Sequence, residues 1–282
     1  MEAQYRARYR GSRGMRSQSE HRLNHSAPRA FTLVDVMVSI GVLAVLIALL
    51  LPSLSTVQET ARRVVCRSNV RQIGLGVAMY AQDNRGYLPP SIFALPPEFQ
   101  GDVPTASNSL IEPHFDRTMS VRLMPDELQL PWSEGWDGLG LVYKLDYVHA
   151  VKVFYCPSHT GEHPYRRYAL SWDTPGVEVV GNYQYRGNGP SGQPGVVTGR
   201  LDQISPQTAA LISDGMQTRE DYNHLVGANL FRADLSVVWF DDAARRMSSG
   251  LSAVKDDTSS EKVETAWEAI DESSRTGGAT GR

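Results

Sequence analysis

An apolar stretch, FTLVDVMVSIGVLAVLIALLL, occupies residues 31–51 and contains one charged side chain, Asp35. As a helix rising ~1.5 Å per residue, a stretch of this length extends ~30 Å, the hydrocarbon thickness of a bilayer. The stretch therefore predicts a transmembrane helix, which limits the folds open to the rest of the chain. An acid inside such a helix is costly, so Asp35 is expected to have a partner for its charge.

The charge distribution on either side of this stretch predicts its orientation. Residues 1–30 hold seven arginines and two glutamates, a net charge of +5, and the positive-inside rule keeps such a leader in the cytoplasm. The whole chain carries −3, which leaves −8 for residues 31–282, an acidic balance that argues against nucleic acid as a partner. The apolar run is too long for an ordinary secretory signal, and no A-x-A pattern follows it.

The boundary between leader and apolar run resembles the type IV prepilin and type II secretion pseudopilin class. That class has a basic leader, a small residue, then F-T-L-x-E and a long apolar helix. The resemblance implies cleavage by a prepilin peptidase between Ala30 and Phe31 and N-methylation of Phe31. It also implies assembly roles for Leu33, Asp35 and Pro52. Ala30 stands where the class usually has Gly, and Asp35 where it usually has Glu.

Two roles are open to Asp35. Cleavage would give Phe31 a new α-ammonium, which must be neutralised inside a packed filament, and Asp35 of a neighbouring subunit can do this. Asp35 can also cap the start of its own helix, where an acid favours the helix dipole. The two roles are compatible.

The helical pattern continues beyond Pro52. Apolar residues recur at three- and four-residue steps with polar residues between them, which predicts an amphipathic second half; they are Leu54, Val57, Ala61, Val64, Val65, Ile73, Val77 and Tyr80. Gly74 and Gly76 predict close packing against a sheet, and Asn84 and Gly86 predict the helix end. The expected organisation is a leader (1–30), a membrane half (31–52), an amphipathic half (53–85), a periplasmic head (86–242) and a disordered tail (243–282).

The head pattern favours an α+β fold. The resemblance implies a pilin-like arrangement, in which the long helix packs on a mainly antiparallel sheet with long irregular insertions. The predicted strands are 168–172, 179–185, 209–214, 228–232 and 236–240. A short helix is expected at 139–145, an extended segment before Cys156, and an irregular connection over 87–138. Within the tail, only 262–270 has a pattern compatible with a short helix.

Two cysteines and several possible metal ligands lie in the part expected to be exported. Cys66 and Cys156 can form a disulfide that ties the long helix to the head, or remain buried free thiols. Cys156, His159 and His163, with Cys66 as a distant fourth, fall short of a convincing zinc pattern. The acids Asp214, Asp221, Asp234, Asp241 and Asp242 match no calcium loop. We therefore expect no metal, no cofactor and, since no catalytic motif is present, no enzyme activity.

A second resemblance concerns residues 224–240. His224 and Asp234 lie nine residues apart in HLVGANLFRADLSVVWF, which resembles the H-x9-DG segment of a subgroup of prepilin-type proteins. Residues 66–90 and 154–158 also resemble that subgroup. Leu235 replaces its glycine, and the plain interpretation of the pair is a hydrogen bond that fixes a hairpin.

The combined expectation is a pseudopilin or minor-pilin-like structural subunit of a type II secretion-like system. Its partners would be the prepilin peptidase, other pilin-like subunits, the inner-membrane assembly platform and membrane lipid. The alternative is an uncleaved single-pass membrane anchor that holds a periplasmic binding domain.

Overall fold

The computed structural model describes residues 31–94, 114–127, 130, 133–191, 193, 196–206, 208–224 and 226–275. The leader 1–30 with Ala30, most of the connection before residue 114, and residues 276–282 lie outside the described residues. The chain divides into two compact units, Met1–Pro52 and Ser53–Arg282.

The regular elements follow in chain order. The helices are α1 (Leu33–Asp83), α2 (Leu139–Lys144), α3 (Tyr165–Tyr168), α4 (Arg246–Gly250) and α5 (Ser259–Arg275), with 3₁₀ turns at Phe115–Arg117, Val151–Phe154 and Leu201–Gln203. The strands are β1 (Ser120–Arg122), β2 (Val179–Val180), β3 (Tyr183–Tyr185), β4 (Gly189–Pro190), β5 (Val197–Thr198), β6 (Ala210–Asp214), β7 (Gly227–Arg232) and β8 (Val237–Asp241).

Helix α1 is the predicted long N-terminal helix, and it runs through Pro52 without interruption. Its buried side chains in the second unit begin at Cys66 and recur at helical spacing through Val70, Ile73, Val77 and Tyr80. The apolar face was predicted to start earlier, but the side chains at 54, 57, 61, 64 and 65 are exposed. Periodicity alone does not reveal which turns of a helix another part of the chain will cover.

The predicted end of α1 is confirmed. The helix ends at Asp83, and Arg85 and Gly86 follow with left-handed φ angles of 57° and 87°. The N–H of Gly86 donates to the carbonyl of Ala81 over 2.8 Å, which satisfies one of the last free carbonyls of the helix.

The main sheet has the order β3-β6-β7-β8, and each neighbouring pair is antiparallel. The register places Tyr183 opposite Asp214, Ser213 opposite Leu230, and Leu230 opposite Val238. The α+β prediction, with a long helix and a mainly antiparallel sheet, is therefore confirmed.

The other element predictions had mixed outcomes. The strands expected at 209–214, 228–232 and 236–240 are β6, β7 and β8, and the expected helix at 139–145 is α2. The segment 179–185 divides into β2 and β3, which belong to different sheets. The expected extended segment before Cys156 contains the 3₁₀ turn Val151–Phe154 instead.

The strand predicted at 168–172 is wrong, because these residues finish α3 and continue as turns. Tyr168 and Trp172 are buried while Leu170 between them is 86% exposed, whereas in a strand all three would share one face. The Trp172 ring packs 4.6 Å from the ring centroid of Tyr143 and 5.0 Å from that of Phe154. Trp172 therefore belongs to a buried aromatic cluster, and the aromatic residues of the segment gave it the composition of a strand.

Helix α1 packs closely against one face of the sheet. A Cβ atom at Gly74 would lie 2.2 Å from the ring of Phe231 in β7, so only glycine fits there. At Gly76 a Cβ would lie 2.7 Å from Val148, which follows α2. The close approach predicted from the two glycines is confirmed, although Gly76 faces the α2 region rather than the sheet.

Helix α5 covers the opposite face of the sheet. Val263, Ala266, Trp267 and Ile270 are buried in a second core that includes Leu230. Leu230 and its neighbour Phe231 belong to different cores, because successive side chains of a strand point to opposite faces. The prediction of a disordered tail is thus wrong as far as Arg275, since the four apolar residues form one helix face that the sheet needs as a cover.

Candidate functional site

The first candidate site is the start of α1. The Asp35 carboxylate accepts hydrogen bonds from the Thr32 backbone N–H (3.0 Å) and the Thr32 hydroxyl (2.8 Å), while the Asp35 N–H donates to that hydroxyl over 3.2 Å. This reciprocal arrangement is a capping box, which satisfies free N–H groups at a helix start. Within one chain, Asp35 therefore takes the cap role; its predicted role toward a neighbouring subunit stays a prediction.

The side chains that follow the cap form an apolar surface on all sides of the helix. Phe31 is 85% exposed and Leu33 72% exposed, and every described side chain from 31 to 51 is exposed. By length and composition, α1 has a segment apolar enough to cross a membrane. A helix that is apolar all round is normally buried, either in a protein core or in lipid.

The second candidate site is a buried group of four side chains in the head, which we call the Cys–His cluster: Cys66, Cys156, Asp214 and His224. One ligand atom from each of them lies within 4.8 Å of the other three. Cys66 comes from α1, Cys156 follows the Val151–Phe154 turn, Asp214 ends β6, and His224 precedes β7. The fold thus brings four distant parts of the chain to one point.

Hydrogen bonds connect the members of the Cys–His cluster. The Cys66 thiol donates to Asp214 Oδ1 over 2.9 Å and lies 3.2 Å from the Tyr183 hydroxyl. Nε2 of His224 lies 3.6 Å from Cys156 Sγ and 3.7 Å from Asp214 Oδ2. Four groups able to donate electron pairs therefore face a single small volume.

A second layer of contacts fixes the orientation of these groups. The Glu59 carboxylate, also on α1, accepts a hydrogen bond from His224 Nδ1 over 2.7 Å. The other ring nitrogen, Nε2, therefore points into the cluster. Asp214 Oδ2 accepts from the backbone N–H of Asn229 (2.6 Å) and from its side-chain amide (3.1 Å). The Ser158 hydroxyl donates to Glu59 over 2.9 Å. Neighbouring residues therefore fix the orientations of His224 and Asp214.

The ionisation of the cluster is strongly perturbed. Burial raises the pKa of the Cys66 thiol well above its usual range, and neighbouring Cys156 and Asp214 raise it further. Burial also opposes ionisation of Cys156, yet hydrogen bonds with Cys66 and His224 lower the pKa of its thiol overall. Burial disfavours the charged form of His224 too, but Cys156, Asp214 and Glu59 raise its pKa to about 9. Cys156 and His224 thus each favour the charged form of the other.

The two histidines predicted beside Cys156 as candidate zinc ligands have other partners. Nδ1 of His159 lies 2.8 Å from Asn223 Oδ1, and the two ring nitrogens of His163 lie 2.8 Å from the Tyr168 hydroxyl and 3.1 Å from Gln217 Oε1. Of the four residues considered from sequence as a zinc pattern, the two cysteines lie together in the Cys–His cluster, whereas His159 and His163 are not in it. His224 was found in the sequence only as part of a motif of unassigned role.

His224 and Asp234, for which a hairpin-fixing hydrogen bond was expected, lie at opposite ends of β7. Asp234 Oδ1 accepts the N–H of Ser236 over 2.9 Å within the β7–β8 turn, so Asp234 alone fixes the hairpin. The cysteines that were candidates for a disulfide are both buried free thiols. Among the other aspartates, Asp242 caps α4 through the N–H groups of Met247 and Ser248.

Comparison with known proteins identified one protein family. The model of a family described as protein of unknown function (DUF1559) matches residues 55–222, more than half of the 282 residues. The family is typical of bacterial prepilin-like proteins. The matched span includes Cys66, Cys156 and Asp214 and ends just before His224. No curated protein and no solved structure matches the chain.

Proposed function

Because this chain belongs to the DUF1559 family, we propose that it is a pseudopilin or minor-pilin-like structural subunit. It would assemble through α1 into an inner-membrane-based filament of a type II secretion-like system. The observation that carries the proposal is the exposed apolar half of α1, which begins at Phe31 and holds Asp35 in its first turn.

The proposed maturation starts with insertion into the inner membrane. The basic leader stays in the cytoplasm and the acidic head enters the periplasm. A prepilin peptidase then cuts between Ala30 and Phe31, and Phe31 is N-methylated. The position of Thr32 as the capping residue supports this junction, because α1 begins at Leu33, two residues after the proposed new N-terminus at Phe31.

The partners follow from the apolar surface of residues 31–51. Exposed to water, such a surface would be unfavourable by roughly 25 cal/mol per Å² of apolar area. Membrane lipid covers this surface before assembly, and the helices of other pilin-like subunits cover it in the filament. The inner-membrane assembly platform transfers the subunit from the membrane to the filament. The role is structural and non-enzymatic, and nucleic acid is not among the partners.

Asp35 has a specific place in this assembly. Both bonds that Asp35 accepts in its cap use Oδ2, so Oδ1 can accept a hydrogen bond from the Phe31 ammonium of a neighbouring subunit. One carboxylate can thus start its own helix and neutralise the next subunit. Burying that ammonium without an anion would cost several kcal/mol.

The mature N-terminus tests the processing step. We expect mass spectrometry of the chain, isolated from cells with active prepilin peptidase, to find N-methylated Phe31 as the first residue. An intact leader beginning at Met1 in such cells would contradict the proposal and favour the alternative, an uncleaved membrane anchor for a periplasmic binding domain.

A pair of substitutions at Asp35 separates its charge from its cap. Asp35→Asn keeps an oxygen that can accept the Thr32 donors but removes the charge, and Asp35→Glu keeps the charge. We expect both variants to insert in the membrane, but only Asp35→Glu to crosslink into filaments with other pilin-like subunits at the wild-type level. Normal assembly of Asp35→Asn would show that the charge is not needed.

A further inference from the structure

We propose that the Cys–His cluster is a structural zinc site in which Cys66, Cys156, Asp214 and His224 are the four ligands. Two thiolates, an imidazole and a carboxylate are all donor types that Zn²⁺ accepts, and thiolates select it over hard cations such as Ca²⁺ and Mg²⁺. The proposal departs from the expectation, drawn from sequence, that the chain binds no metal.

Two of the distances between ligand atoms match those of a tetrahedral zinc site, and a third is shorter. Bonds of about 2.0–2.3 Å from a tetrahedral zinc ion place neighbouring ligand atoms roughly 3.3–3.8 Å apart. In the cluster, Cys156 Sγ and Asp214 Oδ2 lie 3.6 and 3.7 Å from His224 Nε2, and Cys66 Sγ lies 2.9 Å from Asp214 Oδ1. Since no pair of ligand atoms exceeds 4.8 Å, movements of side chains alone can admit the ion.

The surroundings have the contacts expected of a metal site. Histidine ligands of zinc usually direct their second ring nitrogen to a carboxylate, and Glu59 supplies it here at 2.7 Å. Carboxylate ligands are usually hydrogen-bonded as well, and Asn229 does this for Asp214. These contacts hold the His224 ring and the Asp214 carboxylate in place beside the two thiols.

Access and coordination number indicate a structural role. Cys156 lines a cavity of about 360 Å³ together with Val65 and His159, which offers an entry path for the ion. All four ligands are buried and belong to the protein, so no position remains for a substrate or a reactive water. The ion would join α1, β6 and two loops, and its binding free energy would add to that of folding.

A disulfide between the two cysteines is the competing outcome. It would remove the Cys66 thiol that donates to Asp214 Oδ1, leaving an oxygen of a fully buried carboxylate without that donor. A disulfide also gives no reason for His224 Nε2 to point at the sulfurs. Zinc uses all four groups, and so the geometry favours it.

Zinc and thiol content distinguish these two outcomes in the full-length chain purified in detergent without reductant. We expect about one zinc per chain by elemental analysis and, after denaturation with a chelator, two reactive thiols, since the chain has 2 cysteines. The chelator should lower the melting temperature by several degrees, and added Zn²⁺ should restore it. Metal-free protein without thiols until reduction would establish the disulfide and overturn the proposal. Free thiols with no zinc uptake after dialysis against Zn²⁺ would also overturn it.

A histidine pair supplies the matched variants. His224→Gln should reduce zinc content at least tenfold, whereas His149→Gln, at an exposed histidine, should retain it. If His224→Gln fails to fold, the wild-type protein still decides the question. Its thiols should react with an alkylating reagent much faster under native conditions once the chelator is present, and equal rates with and without chelator would contradict the proposal.

Discussion

At the scale of single residues, Leu235 shows how the chain tolerates leucine at the position where the H-x9-DG segment of the subgroup has glycine. Leu235 occupies the β7–β8 turn with a φ of 65°, a left-handed conformation that favours glycine. Such a conformation costs a non-glycine residue ~1–2 kcal/mol. The hydrogen bonds of the turn, including the one from Ser236 to Asp234, hold the residue in this conformation.

Replacing Leu235 with glycine should therefore stabilise the head. We expect Leu235→Gly to be more stable than Leu235→Ala by up to ~1 kcal/mol, because both variants lose the side chain but only glycine relieves the backbone. Chemical denaturation of the full-length variants, followed by circular dichroism, measures the difference. An alanine variant as stable as the glycine variant would show that the turn is not strained.

At the scale of elements, α5 shows how a weakly apolar segment becomes part of the core. Trp267 is buried in the second core. Asp271, one turn later in α5, forms a salt bridge with Arg186 over 2.7 Å. These contacts tie the C-terminal helix to the edge of the main sheet. A short apolar face is sufficient because the sheet provides its complement.

Removal of the Trp267 side chain should loosen this element. We expect Trp267→Ala to lower the free energy of unfolding by ~3–5 kcal/mol, since a large buried side chain leaves a cavity. Glu264→Ala, on the exposed face of the same helix, should change it by less than ~0.5 kcal/mol. Denaturation monitored by circular dichroism compares the two, and equal effects would mean that α5 does not contribute to the core.

At the scale of the whole molecule, stability should depend on pH through Asp137. This buried carboxyl accepts hydrogen bonds from the Ser91 hydroxyl (2.5 Å) and the Ile92 N–H (2.9 Å), which join the segment after α1 to the start of α2. Burial outweighs these bonds and raises the pKa of Asp137 to about 7 from its usual 3.8. The folded state thus holds a proton that the unfolded state releases, so the stability from this group is lost as pH rises from about 4 to 7.

Asp137→Asn should remove that dependence. We expect the melting temperature of the wild type to fall relative to that of Asp137→Asn between pH 4 and pH 7, because the amide never ionises. Asp126→Asn, at an exposed aspartate, is the control and should follow the wild type. Parallel curves for all three proteins would show that Asp137 ionises normally.

Local sequence determined the features of this protein that depend on neighbouring residues alone. The apolar stretch from Phe31, the helix end near Gly86 and the strands β6, β7 and β8 follow from composition, periodicity and turn residues, which act over a few positions. Asp35 capping its own helix is also a short-range event, three residues from Thr32. These features were all predicted.

Tertiary structure decided which of these elements cover one another and which side chains meet. Cys66 and Asp214 are 148 residues apart and Glu59 and His224 are 165 apart, so no spacing in the sequence records their contact. The same is true of α5, whose apolar face is buried because it packs in the same core as Leu230 of the sheet. Burial depends on the arrangement of the whole chain, and for that reason the long apolar segment was evident from sequence while the Cys–His cluster was not.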